Sequence, residues 1–433
     1  MGLAVISENV DKIRSFLLKP AVKTVFGNFM SLSSIQVLVH LVTLILLPFV
    51  TRALGMEKFG VISFAINFVT FFQFATSYSF NNTAVRTASI HRNDQNALNK
   101  LFSAVTTAKI LLAFIFTGLY FSIILFVPHA QFSSYFHIYI ILYLYIIGEA
   151  FFPMWLFMGL ERMKFLGIMN FTSRILILTA TILFIKKPDD YILYGGITTI
   201  TYLLNGFAGT LIAITKFHIR PSLPTFADVG EQLKEGFPVF ISYVSIYIYT
   251  SCRVIIFGFF ADETLIGQYV VGEKICSVIQ LFPISALLMA SLPRLTSIFH
   301  NSKQEAIATT KRIQKGVSIY ILVLAPFVLY FADDLVWLIS GNRYEVSVGT
   351  LRILFLSTVL VLLNTFRVNF FIVSGDYSTF SKLHVISSIS GLVVIIAMTS
   401  LFSYKGMAWA IVLLEASILA ATVIIQRRRG VVI

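Results

Sequence analysis

Apolar runs of about twenty residues recur along this chain, and they constrain its fold more than anything else in it. A helix rises 1.5 Å per residue, so about 20 apolar residues cross the ~30 Å hydrocarbon core of a bilayer. Runs of that kind fall at 26–50, 61–80, 102–126, 136–158, 166–185, 191–215, 237–260, 266–292, 316–332, 350–373, 379–401 and 406–425. Inside hydrocarbon every backbone polar group needs a partner within its own segment, which makes each run a helix. The expected fold is an all-α integral membrane protein with twelve transmembrane helices.

Charge supports that reading. Only 12% of the 433 residues are charged, against about 25% in soluble domains. The net charge of +13 comes from residues scattered between apolar runs and forms no single patch, so nucleic acid is not an expected partner. With the N-terminus in the cytoplasm, 21 of the 33 Lys and Arg residues fall on inside segments and 6 on outside ones. That asymmetry orients an even number of spans with both termini inside. Residues 1–25 mix Lys12, Arg14, Lys19 and Lys23 with Ile13, Phe16, Leu17 and Leu18, the pattern of an interfacial amphipathic segment. Cys252 and Cys276 lie in apolar runs and show no metal-ligand spacing.

The connections limit the chemistry. The longest outside loop is about 17 residues (333–349), too short for a catalytic domain, so no enzyme is expected. No Gly-rich phosphate loop of the Walker type is present, which removes ATP as a direct energy source. Two outside turns resemble one another: LGMEKFGVISFA (54–65) and FADETLIGQYVVGEKI (260–275) each place a glycine, Gly60 or Gly267, at the start of an apolar helix. Parallel repeats of six spans follow from this, with an N-terminal lobe at 26–218 and a C-terminal lobe at 219–433.

Charged side chains inside the runs are where function is expected. They are Lys109, Glu149, Arg174, Arg253, Glu273, Lys274, Arg367 and Glu415, with His40 as a titratable addition. Facing lipid is too costly for any of them. Glu149 and Arg174 lie about 12 and 10 residues from the turn at 161–164, so both sit roughly 15–18 Å deep, level on adjacent antiparallel helices, and Arg174 is the expected partner of Glu149. Arg253 and the Glu273–Lys274 pair are level by the same reasoning. Five cations face three acids, and an anion would complete such a set; Arg suits phosphate especially well. The cavity cations are therefore Arg174, Arg253, Lys274, Arg367 and Lys109. The acids Glu149, Glu273 and Glu415, with His40, are candidates to carry a coupling ion, H+ or Na+. Pro153 cannot donate to the carbonyl of Glu149, so the helix should break beside that charge. Trp155 and Tyr269 are candidates to stack on a sugar ring.

The stretches PFVTRALGMEKFGVISFA (48–65), PMWLFMGLERMKFLGIMNFTSR (153–174) and residues 236–295 resemble the polysaccharide transporters of the multidrug/oligosaccharidyl-lipid/polysaccharide exporter superfamily, and among them bacterial O-antigen flippases. The resemblance implies two six-helix lobes around a central cationic cavity and alternating access. It also implies a bacterial inner-membrane protein that moves undecaprenyl-diphosphate-linked glycan from the cytoplasmic to the periplasmic leaflet, driven by an ion gradient. Partners would be membrane lipid and the polysaccharide polymerase machinery. Many members of this family carry an acid just before the arginine matching Arg253, where this chain has Cys252; that shifts the ion role to Glu149, Glu273 and Glu415. The alternative is a cation-coupled multidrug antiporter of the same superfamily, which the surplus of buried cations disfavours.

Overall fold

The computed structural model describes the backbone of residues 20–431 and the side chains of 41–431, apart from 242, 246, 249, 250, 281–290, 292, 293 and 377. Residues 1–19 of the expected amphipathic segment and the side chain of His40 lie outside the described residues. Within them every regular element is helical: α1 Pro20–Ser77, α2 Thr83–Ile90, α3 Gln95–Phe126, α4 Ala130–Ser134, α5 Phe136–Phe151, α6 Met154–Gly159, α7 Met163–Phe184, α8 Tyr191–Lys216, α9 Phe226–Ser251, α10 Arg253–Gly258, α11 Glu263–Asn301, α12 Lys303–Tyr330, α13 Ala332–Ser340, α14 Glu345–Val373 and α15 Tyr377–Arg428, with a short 3-10 turn at Pro188–Asp190.

Eight stretches of the described residues are long and apolar enough to cross a membrane. Two of the helices are divided by a non-helical residue, α1 at Gly55 (φ 70°) and α15 at Ser403 (φ 51°). Their halves coincide with the expected runs 26–50 and 61–80, and 379–401 and 406–425. Polar caps mark where helices leave the apolar layer. Asp94 accepts from the amides of Asn96 and Ala97 at the start of α3, Asp262 from Leu265 at α11, and Ser302 from Glu305 at α12. Thr225 and Asp228 form a reciprocal capping box on α9. Such caps satisfy amides that the helix itself leaves open.

The helices pack in two groups. One contains α1, α3, α5, α7 and α8, the other α9, α11, α12, α14 and α15. The groups meet chiefly along α1 and α11, and again where α3 meets α9. The repeat glycines explain the first contact. A Cβ on Gly60 would overlap the carbonyl oxygen of Glu263, and one on Gly267 would overlap that of Met56. Only glycine permits two helices to touch backbone to backbone here. Nearby, Thr51 Oγ1 donates to the Ile339 carbonyl at 3.0 Å and Arg52 Nη2 to that of Leu338 at 2.6 Å, holding α1 to α13.

About 27 Å from Gly60, at the far end of the second half of α1, a second set of bonds joins the groups. Tyr78 Oη donates to the Leu233 carbonyl and Ser79 Oγ to that of Gly236, each at 2.9 Å. Lys100 and Asp228 pair at 2.8 Å. The Lys100 ammonium, with the hydroxyl of Thr225, holds the Asp228 carboxyl below its ordinary value.

Candidate functional site

A cavity of about 380 Å³ lies between the two groups of helices. Arg174 reaches it from α7 and Lys274 from α11, and no acid is among its described lining residues. Most of the remaining polar wall comes from uncharged side chains at helical spacing, Ser63, Asn67 and Thr70 on α1 and Tyr194, Thr198 and Tyr202 on α8, with Thr43 and Ser277 beside them. Tyr145 of α5 stacks on Tyr202 with ring centroids 4.3 Å apart. Arg174 is near enough to Tyr145 and Tyr194 to act on both electrostatically. Two fixed cations, hydroxyls and the half-buried ring of Tyr202 can hold a phosphate bearing a sugar: cations and donors bind the oxyanions, and the ring packs on the sugar.

Beside this cavity lies a second space of about 240 Å³ with an almost wholly apolar lining. It is bounded by Pro48, Ile275, Ile279, Leu324, Phe327 and Leu338, among others. Leu44 and Val278 belong to both walls. A polar, cationic chamber and an apolar crevice thus share a partition between α1 and α11. Few ligands need both at once; an anionic head on a hydrocarbon tail does.

The structure overturns the pairing expected from depth. Glu149 bonds to Lys109, not to Arg174. Lys109 Nζ stands 2.9 Å from Glu149 Oε1 and donates at 2.9 Å to the carbonyl of Phe152. Gln73 Nε2 adds a longer contact of 3.4 Å to Glu149 Oε2. Depth along a helix follows from residue count, but the direction a side chain points does not. Glu149 turns toward α3, and Arg174 toward the cavity.

The helix break beside Glu149 is present. Helix α5 ends at Phe151, Pro153 opens α6, and the amide of Phe152 closes onto the carbonyl of Glu149 at 3.1 Å. A break in hydrocarbon leaves carbonyls without helical partners. Here Thr210 Oγ1 donates to the Phe151 carbonyl and Lys109 to that of Phe152. Lys109 is therefore a buried strut, 2% exposed, and does not line the cavity as expected.

Two other expected cavity cations also stand apart from it. Arg253 begins α10, where it acts electrostatically on Glu415 and, together with Glu273, on Tyr269 and Cys276. Arg367 lies near the end of α14, beside Arg427, and its carbonyl accepts from Gln426 at 2.8 Å. Glu415 is buried at 7% exposure and makes no hydrogen bond or ion pair among the described residues. Trp155 and Tyr269 are at most 1% exposed. Both are packed inside the protein and cannot reach a sugar in this conformation.

The uncharged lining was invisible to a search for intramembrane charge. The signal that could have found it is the i, i+4 stripe of polar residues at 63 and 67, and at 194, 198 and 202. A polar stripe on an apolar helix needs a polar neighbour.

The comparisons with known proteins agree with this architecture. A family model described as polysaccharide biosynthesis protein matches residues 25–299. An Escherichia coli (strain K12) protein named "Putative O-antigen transporter" is 25% identical over 410 residues, covering 94% of this chain and 97% of its own. Among solved structures, an inward-facing multidrug resistance MATE family transporter of the MOP superfamily superposes with a TM-score of 0.73 at 12% identity, covering 89% of this chain and 93% of that one. The lipid II flippase MurJ in an inward closed conformation superposes at 0.72 and 14% identity, covering 92% and 87%. At these identities the structural likeness shows the fold alone.

Proposed function

This chain belongs to the polysaccharide biosynthesis protein family, and we propose that it flips a lipid-linked oligosaccharide across a bacterial inner membrane. The substrate of this reading is an undecaprenyl-diphosphate-linked O-antigen-type repeat unit. It enters from the cytoplasmic leaflet and leaves to the periplasmic one, with both termini of the protein in the cytoplasm. The observation that carries the proposal is the shared partition at Leu44 and Val278 between the cationic cavity and the apolar crevice. The diphosphate sits against Arg174 and Lys274, the sugars extend toward the Tyr145–Tyr202 wall, and the polyprenyl tail leaves between α1 and α11 into lipid. The O-antigen transporter name of the Escherichia coli relative and the lipid-carrier substrate named for MurJ support the same class of cargo.

Net movement needs an energy source, and we propose an H+ or Na+ gradient. Of the three acids, Glu149 is already committed to Lys109. Glu415, buried and with no hydrogen bond or ion pair among the described residues, fits an exchangeable ion better. A multidrug antiporter for cations fits poorly, because a cavity with two cations and no described acid repels such cargo.

The test is complementation of a flippase-deletion strain, read as surface polysaccharide. Arg174→Ala and Lys274→Ala should each reduce it by about tenfold or more, the range for losing a hydrogen bond to a charged group. Arg367→Ala should leave it near wild type. Full restoration by both cavity variants at normal expression removes the cationic-cavity reading.

A further inference from the structure

A second polar-headed groove lies away from the central cavity, on the face where the two halves of α15 run side by side. It has a volume of about 470 Å³. The first half contributes Thr379, Lys382, Leu383, Ile386, Ser387 and Ser390; the second contributes Ser417, Ala421, Ile425 and Arg429. Each set follows a spacing of three or four residues and forms one continuous helix face. None of these residues borders the central cavity.

The groove has a charged end and an apolar body. Lys382 and Arg429 stand at the end that carries the C-terminus, with Arg427 and Arg428 next to them in sequence. Arg429 is bonded to the Asp376 carboxylate and to Thr379 Oγ1. Lys382 is exposed and has no ion-pair partner among the described residues. Farther in, the walls are Leu383, Ile386, Ala421 and Ile425. The serine hydroxyls at the deep end are turned back on their own helices, Ser390 to the Ile386 carbonyl at 2.8 Å and Ser417 to that of Leu414 at 2.7 Å. They ask nothing of a ligand.

Length identifies the occupant. From Thr379 to Ser390 is eleven residues, or about 17 Å of helix. One leaflet of hydrocarbon is about 15 Å deep, half the ~30 Å core. A groove with cations at the water interface and apolar walls ending near the bilayer middle matches one acyl chain beneath an anionic head group. A soluble anion would use only the mouth. A neutral lipid would use only the walls.

We propose that this groove is a binding site for one anionic phospholipid, its phosphate at Lys382 and Arg429 and an acyl chain between the two halves of α15. The site is independent of the transport cavity, so its test reads lipid binding and not flipping. The purified full chain is delipidated in detergent and titrated with phosphatidylglycerol, with phosphatidylcholine and with inorganic phosphate. Binding is followed by native mass spectrometry and by melting temperature. Wild type should hold one tight phosphatidylglycerol. Lys382→Gln should weaken it about fivefold, the effect of one interfacial cation. Ser390→Phe, at an exposed position, should block the deep end and weaken long-chain phosphatidylglycerol while sparing a short-chain one. Equal binding of phosphatidylcholine, binding of inorganic phosphate alone, preferential retention of a polyprenyl phosphate, or affinity unchanged in both variants would each overturn the proposal.

Discussion

Lys109 of α3 closes the broken helix around Pro153: one ammonium bonds both the Glu149 carboxylate and the Phe152 carbonyl, each at 2.9 Å. An ion pair in so dry a place loses much of its attraction to desolvation, so the pair gains the protein little over packed hydrocarbon. What it supplies is a partner for the Phe152 carbonyl, which the helix break leaves open. The charge in the apolar run is therefore part of a structural joint.

Breaking that joint on one side should be worse than removing it. Glu149→Gln leaves an ammonium with no counter-charge, and Lys109→Met leaves a carboxylate with none. Each should lower stability by about 3–5 kcal/mol, and the double variant by clearly less than the sum. Melting temperatures of the four proteins in one detergent check this. Additive losses would show that the two side chains act independently.

The contact of Gly60 with Gly267 should gate the cavity. Alanine at either position forces α1 and α11 apart at that end, because its Cβ meets a backbone carbonyl that cannot rotate away. With Ser277→Cys, at an exposed cavity-lining position, as reporter, a membrane-impermeant thiol reagent added from the periplasmic side should label Gly267→Ala severalfold faster than the parent. Cys252 and Cys276 are buried and form a low background. Unchanged labelling would mean that closure rests elsewhere.

Asp376 gives a pH signature outside the membrane. The Arg429 guanidinium and the Thr379 hydroxyl hold its carboxyl below the ordinary aspartate value. The contribution is thus complete above about pH 4, where unfolded aspartate is ionised, and fades as pH falls through the lower folded value. Both side chains are partly solvated, at 48% and 24% exposure, so the effect is small. Asp376→Asn should lower the melting temperature slightly and evenly from pH 5 to 8. Its deficit relative to wild type should shrink below pH 4. A deficit that grows on acidification contradicts the assignment.

Glu415 separates coupling from structure. Glu415→Gln should preserve folding, since no hydrogen bond or ion pair among the described residues is lost. If the acid carries the ion, flipping assayed in vesicles should lose its dependence on the imposed H+ or Na+ gradient. Retained dependence assigns the ion to another group.

Some of the candidate site was open to sequence reading and some was not, and the division follows geometry. Counting residues from a turn puts Glu149 and Arg174 at one depth only while helical rise is constant, and the break at Phe152–Pro153 interrupts that rise. It could not say that they point apart, since a difference of one or two residues rotates a side chain by 100° or more. Gly60 and Gly267 were recognisable as equivalent positions of a repeat. That they touch one another is a property of two helices brought together by their whole faces.

The amino-acid sequence by itself determined that the chain is a bundle of apolar helices, that one helix breaks at Pro153, and that its intramembrane charges must find partners or a polar cavity. These follow from local rules: hydropathy over twenty residues, proline's missing donor and the cost of charge in hydrocarbon. Only the tertiary structure decided which charges line the cavity. Arg174 and Lys274 look into the cavity, Lys109 is spent on a carbonyl, and Arg253 and Arg367 lie elsewhere. Helix rotation and neighbour choice are set by packing summed over many contacts between residues distant in sequence, and no local rule contains that sum.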